Sequence, residues 1–311
     1  GKMQNNGNLR PVVVGLGEIL WDLFPDGKQL GGAPANFAWH AQCLGAAGAV
    51  VSAVGDDDLG REILARLDAM HLDRSHVAVD AKHPTGTVTV ALDAGGKPHY
   101  TINEQVAWDY IPAADGVLAL ARRADAVCFG SLAQRTNISR RTIRAFLAAV
   151  RPRCIRLFDI NLRKPFIDRQ AIVESLGLTD VLKLSDDELP VLADLLKLPG
   201  SETEFLAAMI DSFGLDTVIL TKGRHGSRLR TLKADCSRAG VETVVADTVG
   251  AGDSFNAAVT IGLLAGHDIE RINDYANRLA AFVCSQKGAT PRPPAELVAE
   301  KMNNGTDPAT A

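Results

Sequence analysis

The sequence predicts an α/β protein in which a mostly parallel β-sheet is covered by helices on both faces and carries a small additional sheet. Three observations support this prediction. Short apolar segments alternate with helical patterns along most of the chain, a strictly alternating hairpin interrupts them at residues 85–102, and a glycine-rich turn at residues 250–252 separates an apolar segment from a helix. The 311 residues, 46% of them hydrophobic, suffice for one large domain or two smaller ones.

The composition argues against several classes of protein. The net charge is −4, and no basic block or aromatic-rich basic stripe is present, which disfavours a nucleic-acid partner. No apolar run reaches the ~18 residues that a membrane span needs, and no secretory signal is visible. The five cysteines are scattered without metal or redox spacing, so we expect buried thiols and a cytoplasmic protein.

The first predicted strand covers residues 12–15 and runs into Gly15-Leu16-Gly17. Leu20 stands where a dinucleotide-binding fingerprint needs its third glycine, which disfavours a dinucleotide oxidoreductase. Residues 19–24 then read as a strand whose alternating side chains place Leu20 and Asp22 on one face, with Asp22 as the lone acid in an apolar segment. Asp22 is therefore either an exposed strand residue or a ligand for hydroxyl groups.

Two adjacent glycines, Gly31 and Gly32, precede Asn36 and a segment with helical spacing up to Leu44. Adjacent glycines let the backbone approach a ligand closely, and the Asn36 amide can both donate hydrogen bonds to hydroxyl groups and accept them. The alternative is a turn in which Asn36 caps the following helix. Residues 49–54 form the next apolar strand.

A hairpin breaks the alternation of strands and helices. Residues 85–92 alternate strictly, a turn follows at residues 93–96, and residues 99–102 continue the pattern. Such alternation indicates antiparallel strands with one solvated face. With residues 19–24, the hairpin is expected to form a small separate sheet that covers one edge of the main sheet as a lid.

Four further apolar strands are predicted, at residues 126–131, 155–159, 181–184 and 217–221. Polar or basic residues lie at or just beyond their ends: Ser131, Arg163, Ser185 and Lys222. Because ligands of parallel sheets bind at the carboxyl ends of the strands, these residues are expected to converge with the turn that begins at Gly250.

That turn carries the main chemical prediction. Residues 241–246 are predicted to form a strand before it, and residues 255–264 a buried helix after it. A helix that begins at Gly250 and Gly252 directs free N–H groups and the positive end of its dipole at the turn, which makes an anion site. A carboxylate at Asp253 would repel an anion, unless it serves as a base that takes a proton from a hydroxyl group. The alternative is an ordinary helix start.

The motifs Gly31-Gly32-x-x-x-Asn36 and Asp247-Thr-x-Gly-Ala-Gly-Asp253, in this order, resemble the paired signatures of the PfkB (ribokinase-like) carbohydrate kinase family. The resemblance implies a ribokinase-like three-layer α/β/α fold with one kinase domain at residues 10–302, and disordered tails at residues 1–9 and 303–311. The lid would comprise residues 18–30 and 84–108. Three more segments are similar to fructokinases: Gly17-Glu18-Ile19-Leu20-Trp21-Asp22, Phe158-Asp159-Ile160-Asn161-Leu162-Arg163 and Lys183-Leu184-Ser185-Asp186-Asp187-Glu188.

The resemblance also implies roles for particular residues. Asp253 would be the catalytic base, assisted by an anion hole and a basic residue, which are Gly250, Ala251, Gly252 and Arg163. The sugar would be held by Asp22, Gly31, Gly32, Asn36 and Ser131. The nucleotide would be held by Ser185, Glu188, Thr221, Lys222, Gly223, Gly226, Ser227 and Asn277. Glu188 matches a glutamate tied to Mg²⁺ through water, and K⁺ ligands would be Asp247, Val249, Val283, Gln286 and Gly288.

The expected activity is ATP-dependent phosphorylation of a sugar hydroxymethyl group, with fructose as the first choice and Mg²⁺ as cofactor. Residues 100–109 depart from the stretch that fructokinases carry after the lid hairpin, and this segment should face the sugar. Ribose and 2-keto-3-deoxygluconate therefore stay open as substrates. From another class, the chain could be an inactive sugar-binding regulatory protein. The thin lid sheet is expected to pack on a second lid in a homodimer.

Overall fold

The computed structural model describes residues 9–300, so the predicted tails, apart from Leu9, and the last two residues of the predicted domain lie outside it. The strands in this range are β1 Val12–Leu16, β2 Leu20–Phe24, β3 Gly27–Gly31, β4 Ala47–Gly55, β5 Asp73–Asp80, β6 Gly86–Leu92, β7 Pro98–Ile102, β8 Ala126–Gly130, β9 Ile155–Asp159, β10 Val181–Ser185, β11 Thr217–Thr221, β12 Ser227–Arg230 and β13 Asp235–Arg238. The α-helices are α1 Ala33–Cys43, α2 Asp58–Ala69, α3 Asp115–Arg123, α4 Asn137–Ala149, α5 Arg169–Leu176, α6 Glu188–Leu196, α7 Glu202–Phe213, α8 Ala251–Leu264, α9 Ile269–Cys284 and α10 Ala295–Glu300.

The main sheet has nine strands in the order β13-β12-β11-β10-β9-β8-β1-β4-β5. From β11 to β5 every neighbouring pair is parallel, while β12 and β13 are added antiparallel at one edge. The parallel strands are rich in Val, Leu, Ile and Ala because both of their faces are buried. Their carboxyl ends meet at one edge, where the predicted site residues lie.

Helices cover both faces of this sheet. One face packs on α3, α4, α5, α6 and α7 through side chains such as Phe146, Leu176 and Phe205. The opposite face packs on α1, α8 and α9 through Phe37, Phe255 and Leu279, and α2 packs beside α1. This is the predicted three-layer α/β/α arrangement. Among the described residues, no helix combines the length and apolar character that a membrane span requires.

The small sheet has the order β3-β2-β6-β7. Strands β2 and β6 pair in parallel, and each carries an antiparallel neighbour, β3 and β7 respectively. Leu20, Val88 and Val90 form a small buried cluster with the partly buried Phe24 and Ile102. The hairpin and its pairing with the segment after β1 agree with the sequence prediction.

The predicted strand at residues 241–246 is wrong. This segment has no regular structure, and Val244 is 89% exposed although it is β-branched. The segment pairs with no strand of either sheet, and β13 stays the edge of the main one. It is held instead by helix α9, because the N–H groups of Ala246 and Asp247 both donate to the carbonyl oxygen of Cys284.

Asn36 does not cap α1, contrary to the alternative that the sequence left open. The helix begins at Ala33, and Gly32 is its N-cap with a φ of 113°, in the region that favours glycine. A Cβ atom at Gly32 would also lie 2.6 Å from the carbonyl oxygen of Glu18. Asn36 therefore sits in the first turn of α1 with its side chain free for a different partner.

Candidate active site

The site lies where the first turn of α8 meets the carboxyl ends of β1, β9 and β10. Gly250 precedes the helix in the left-handed region at a φ of 82°, and a Cβ atom there would lie 2.3 Å from the carbonyl oxygen of Ala289. The chain can make this turn only with glycine. Ala251 and Gly252 follow as the first helical residues, so their N–H groups belong to the unpaired donors of the helix N-terminus.

Asp253 is a partly buried carboxylate in that first turn. The Asn36 side-chain amide, on α1, donates to its Oδ2 atom at 3.0 Å. Burial raises the pKa of Asp253 to about 6, and the charge of Asp159 adds to the rise, while Asn36, Lys183 and Arg163 act in the opposite direction. The group is thus ionised at neutral pH and more basic than an ordinary aspartate, which is what a general base requires.

A buried polar cluster lies beneath α8. Asn256 donates to Asp159 Oδ2 at 2.9 Å, and the Lys183 ammonium stands 3.5 Å from Asp159 Oδ1. Lys183 is 8% exposed, and the carboxylates of Asp159, Glu188 and Asp253 raise its pKa against the effect of burial. A Cβ atom at Gly252 would lie 3.3 Å from Lys183 Nζ, so this cation lies close to the helix N-terminus.

A second buried carboxyl group, Glu18, follows β1 at the same edge. It is 5% exposed, and its Oε2 atom has no hydrogen-bond partner among residues 9–300. Burial raises its pKa to about 7; Arg163 opposes this rise, and Asp253 and Asp159 add to it. These interactions place the Glu18 carboxyl in the electrostatic surroundings of Asp253.

Two of the predicted sugar-binding residues, Asp22 and Gly31, lie against each other in the small sheet. Asp22 in β2 points toward Gly31, where a Cβ atom would lie 2.6 Å from Asp22 Oδ2, so the glycine makes room for the carboxylate. Burial raises the pKa of Asp22, and Arg163 opposes the rise. The exposed Arg163 guanidinium thus acts on Asp22, Glu18 and Asp253 alike, which places it at the mouth of the site. The Ser131 hydroxyl instead donates to the Ile160 carbonyl at 2.7 Å.

Ser185 and Glu188 bond to each other at the end of β10. Glu188 Oε1 accepts from the Ser185 N–H at 2.9 Å, and Ser185 Oγ accepts from the Glu188 N–H at 3.3 Å. The second oxygen, Oε2, accepts from the Leu162 N–H at 2.6 Å and so fixes the loop that carries Arg163. Each carboxylate oxygen keeps a second lone pair, which leaves Glu188 able to accept from a metal-bound water.

The predicted nucleotide loop joins β11 to β12. Thr221 donates to the Leu184 carbonyl at 3.4 Å, and Lys222 donates to Glu202 at 2.8 Å. Gly223 begins a short 3₁₀ turn, and Gly226 has a φ of 97° with Arg238 O only 1.9 Å from a Cβ atom built there. The loop is therefore tied to β13 and closed to larger residues.

The last two residues predicted to bind the nucleotide, Ser227 and Asn277, form a network between β12 and α9. Asn277 Nδ2 donates to Ser227 Oγ at 2.7 Å, and Ser227 Oγ donates to Asn273 Oδ1. Asn277 also donates to the Asn273 carbonyl oxygen at 2.8 Å and is 8% exposed. The amide of Asn277 is thus engaged inside the protein, and it fixes α9 against the nucleotide loop.

Asp247 connects three of the five residues predicted to bind a monovalent cation. Its Oδ1 atom accepts from the Val249 N–H at 3.0 Å and its Oδ2 atom from the Gly288 N–H at 3.1 Å. The other two residues lie at the end of α9, where the Gln286 N–H donates to the Val283 carbonyl at 3.1 Å. Within residues 9–300, no three His, Cys, Asp or Glu side chains are grouped as metal ligands.

The segment after the lid hairpin was expected to face the sugar, and much of it lies in the core instead. Trp108 and Asp109 are fully buried. Arg135 pairs with Asp109 at 2.8 Å and 2.9 Å, donates to the Asn103 carbonyl at 2.7 Å, and stacks over the Trp108 ring at 4.0 Å. The residues that depart from the fructokinase pattern therefore anchor the base of the lid.

A comparison with known protein families agrees with the geometry of this site. A profile of pfkB family carbohydrate kinases matches residues 26–296. The chain belongs to the pfkB family of carbohydrate kinases. The prediction from the two glycine motifs is confirmed, and so is the ribokinase-like fold.

Individual pfkB kinases resemble the chain over most of its length. The fructokinase of Klebsiella pneumoniae is 32% identical over 264 residues, which cover 80% of this chain and 83% of the relative. An uncharacterized sugar kinase of Pyrococcus horikoshii in complex with ATP gives a TM-score of 0.79 at 26% identity and covers 93% of this chain and 99% of that one. The fructokinase of Vibrio cholerae with fructose, ADP and calcium gives 0.78 at 27% identity, covering 94% and 98%.

Four site residues of this pfkB kinase have no role in the sequence prediction, namely Glu18, Asp159, Lys183 and Asn256. Three of them are charged residues at or next to apolar strands, and Lys183 stands between Leu182 and Leu184 in β10. A charge in a strand that is otherwise buried on both faces is a signal that the sequence does carry. Asn256 gave no such signal, because an amide in a helix of small residues is common.

Proposed function

We propose that this pfkB kinase transfers the γ-phosphate of ATP to a hydroxymethyl group of a sugar, and that the sugar is fructose. The observation that supports this most strongly is the Asp253 carboxylate, which has a pKa of about 6 and stands in the first turn of α8 directly after Gly250. One position thus combines a base with a helix N-terminus that attracts an anion.

In this proposal Asp253 orients the hydroxyl group and takes its proton as the oxygen attacks the γ-phosphorus in line. The N–H groups at the start of α8 stabilise the negative charge of the transferred phosphoryl group. The Lys183 ammonium, close to Gly252, and the Arg163 guanidinium at the mouth add positive charge on either side. Asn36 holds the Asp253 carboxylate in one orientation at 3.0 Å.

ATP would lie over the loop between β11 and β12 and against α9. The ATP complex of the Pyrococcus horikoshii relative, which shares the fold over 93% of this chain, supports this choice of nucleotide. Mg²⁺, when bound with ATP, neutralises charge on the phosphates. Glu188 is the residue that would hold it through water, because its carboxylate is fixed by two backbone N–H groups and keeps free lone pairs.

Fructose is the proposed sugar because fructokinases recur among the similar proteins, including one solved with fructose bound. Asp22 offers a carboxylate to paired hydroxyl groups beside Gly31. Ribose and 2-keto-3-deoxygluconate are the competing substrates, since the similar Pyrococcus horikoshii protein is an uncharacterized sugar kinase and does not identify the sugar.

We further propose that the loop held by Asp247 binds K⁺ through backbone carbonyl groups. The Asp247 carboxylate already joins the backbones of Val249 and Gly288, so a cation there would connect the turn before α8 with the end of α9. The rate of ATP-dependent turnover in K⁺ should exceed that in Na⁺ or tetramethylammonium at equal ionic strength. Equal rates in all three salts would contradict the K⁺ proposal alone.

The direct test is a panel of sugars with ATP and Mg²⁺, read by coupled detection of ADP. The panel contains fructose, glucose, ribose and 2-keto-3-deoxygluconate. For the wild type we expect the highest kcat/KM with fructose. For Asp253→Asn we expect no activity above background with any sugar of the panel. Asp211→Asn, an exposed change in α7, serves as the matched control and should behave as the wild type. A wild-type chain that phosphorylates no sugar in the panel would contradict the proposal.

A further inference from the structure

Glu18 is a buried acid for which the mechanism above has no use. It lies between β1 and β2, and its backbone carbonyl packs against Gly32, with 2.6 Å between that oxygen and a Cβ atom built on the glycine. The side chain is 5% exposed, and Oε2 has no hydrogen-bond partner within the described part of the chain. An ionised carboxylate so placed has a large desolvation cost, which a hydrogen bond from its own backbone N–H and the Arg163 charge offset only in part.

The charges around Glu18 come from three other elements. Asp253 in α8, Asp159 at the end of β9 and Arg163 in the loop after β9 all act electrostatically on its carboxyl group. Lys183 on β10 is paired with Asp159 at 3.5 Å and also lowers the pKa of Asp253. Five carboxyl groups therefore share two cations, namely Glu18, Asp22, Asp159, Glu188 and Asp253. Arg163 is also exposed to solvent. Burial and the two neighbouring carboxylates raise the pKa of Glu18 to about 7.

A neutral carboxyl group differs from a carboxylate because it can donate a hydrogen bond. The other acids at the sugar side, Asp22 and Asp253, act as acceptors when they are ionised. The Asn36 amide donates one of its two N–H groups to Asp253, which leaves a single N–H donor from this residue. Sugar hydroxyl groups both donate and accept, so a site with two carboxylates also needs a donor for the oxygens that those carboxylates leave free.

We propose that Glu18 contacts the substrate as a neutral carboxylic acid and donates a hydrogen bond from Oε2 to an oxygen of the acceptor sugar, next to the hydroxyl group that Asp253 deprotonates. This assignment rests on the proposed sugar kinase function and adds a substrate-binding residue to it. It separates three neighbouring acids by protonation state: Asp22 and Asp253 work as anions, and Glu18 works with its proton. Glutamine copies the donating form, whereas alanine removes it.

The test compares Glu18→Gln with Glu18→Ala in the pH dependence of kcat/KM for D-fructose, or for whichever panel sugar the wild type phosphorylates. For the wild type, kcat/KM should fall as pH rises above about 7, because Glu18 loses its proton there. Glu18→Gln should stay within about tenfold of the wild type at pH 6.5 and lack this alkaline fall, while Glu18→Ala should lose ~10- to 100-fold in kcat/KM.

Two outcomes would overturn the proposal: Glu18→Gln losing as much activity as Glu18→Ala, or the alkaline fall persisting in Glu18→Gln. A merely structural role would lower the melting temperature of both variants and leave the shape of the pH profile unchanged.

A second measurement does not depend on any sugar. In protein labelled with ¹³C at glutamate carboxyl groups, the NMR signal absent from Glu18→Gln belongs to Glu18. Its titration midpoint should lie near 7 rather than near the ordinary value of about 4.3. An ordinary midpoint overturns the assignment even if the wild type proves to be an active kinase. An inactive wild type with a midpoint near 7 contradicts the proposed function instead.

Discussion

The three acids proposed to contact the sugar occupy different surroundings, and their chemistry differs accordingly. Asp253 is held by Asn36 and flanked by cations, Asp22 lies against Gly31, and Glu18 is buried without a partner on Oε2 within residues 9–300. In each of them burial favours the neutral form, and the neighbouring charges decide how far the pKa moves.

Replacing Asp22 by alanine should damage sugar binding alone. An ionised carboxylate that accepts from two hydroxyl groups contributes about 1.5–3 kcal/mol, so the KM for the sugar should rise about 10- to 100-fold. The KM for ATP should stay near the wild-type value, because Asp22 lies on the lid. Steady-state kinetics with each substrate varied in turn measures both. Asp26→Ala, an exposed change in the β2–β3 turn, is the control, and a defect confined to ATP would refute the role.

Replacing Lys183 by methionine should move the acid limb of the pH–rate profile. The Lys183 charge lowers the pKa of Asp253, so its loss should raise that pKa above about 6 and shift the acid limb upward by about one unit. The variant should also be less stable, because Asp159 loses its cation. The exposed change Lys287→Met should leave the profile in place. An acid limb at the wild-type pH in Lys183→Met would show that the two groups are not coupled.

At the scale of elements, the sequence predicted the strands whose apolar residues and flanking turns lie within one short segment. Strands β9 and β11 were predicted with their observed bounds, because short apolar runs buried on both faces are unambiguous next to their turns. Residues 241–246 have the same β-branched composition but no strand to pair with. Strands β12 and β13 were missed for the converse reason, since pairing with β11 makes strands of segments that carry several charges.

Gly226→Val should displace the β11–β12 loop that is predicted to hold the nucleotide. A side chain there meets the Arg238 carbonyl at 1.9 Å and requires a φ of 97°, so the β11–β12 loop must move away from β13. ATP binding should weaken at least tenfold, while sugar binding stays close to the wild type; calorimetry with each ligand separately measures the two affinities. Gly200→Val is the control, because no heavy atom in the described chain lies within 4 Å of its Cβ position. Equal losses of both affinities would contradict the assignment of this loop.

The lid is predicted to pack on a second lid in a homodimer. Within one chain, Leu20, Val88 and Val90 of the lid are already buried in one cluster. Leu92 and Tyr100 at the far end of the lid stay 57% and 62% exposed. A four-stranded sheet with no helix of its own gains stability from such a partner. Light scattering at micromolar concentration should give twice the monomer mass, and Tyr100→Lys should reduce it to the monomer. A monomeric wild type would contradict this prediction.

At the scale of the whole molecule, the site exists only because the sheet brings distant residues together. Asn36 and Asp253 are 217 positions apart and share a hydrogen bond, and Asn256 reaches Asp159 over 97 positions. Motif glycines and Asp253 could be predicted because turn geometry and helix N-termini are local features. Other features depend on burial and on long-range packing and could not be predicted from the sequence. They are the protonation of Glu18, the position of Lys183 under Gly252 and the Arg135–Asp109 pair.

Stability should also depend on Asp253. Its pKa in the folded protein is about 6, above the ordinary value of about 3.9, so the folded state holds an extra proton between these values. The free energy of unfolding that this group contributes therefore falls as pH rises through that window, and an ionised Asp253 is destabilising at pH 8. Asp253→Asn should accordingly unfold at the same or a higher temperature than the wild type at pH 8.

The central claim is that Asp253 is the base of a phosphoryl transfer, and single-turnover kinetics of Asp253→Asn test it most directly. Asparagine keeps the shape of the side chain but cannot accept the proton. With sugar, ATP and Mg²⁺ at saturating concentrations, the rate of the chemical step should fall by ~10³ or more, because general-base removal costs about 10²–10⁴ and orientation of the hydroxyl group is lost as well. Both ligands should still bind, and ATP as tightly as to the wild type or more tightly. A rate within about tenfold of the wild type would contradict the mechanism.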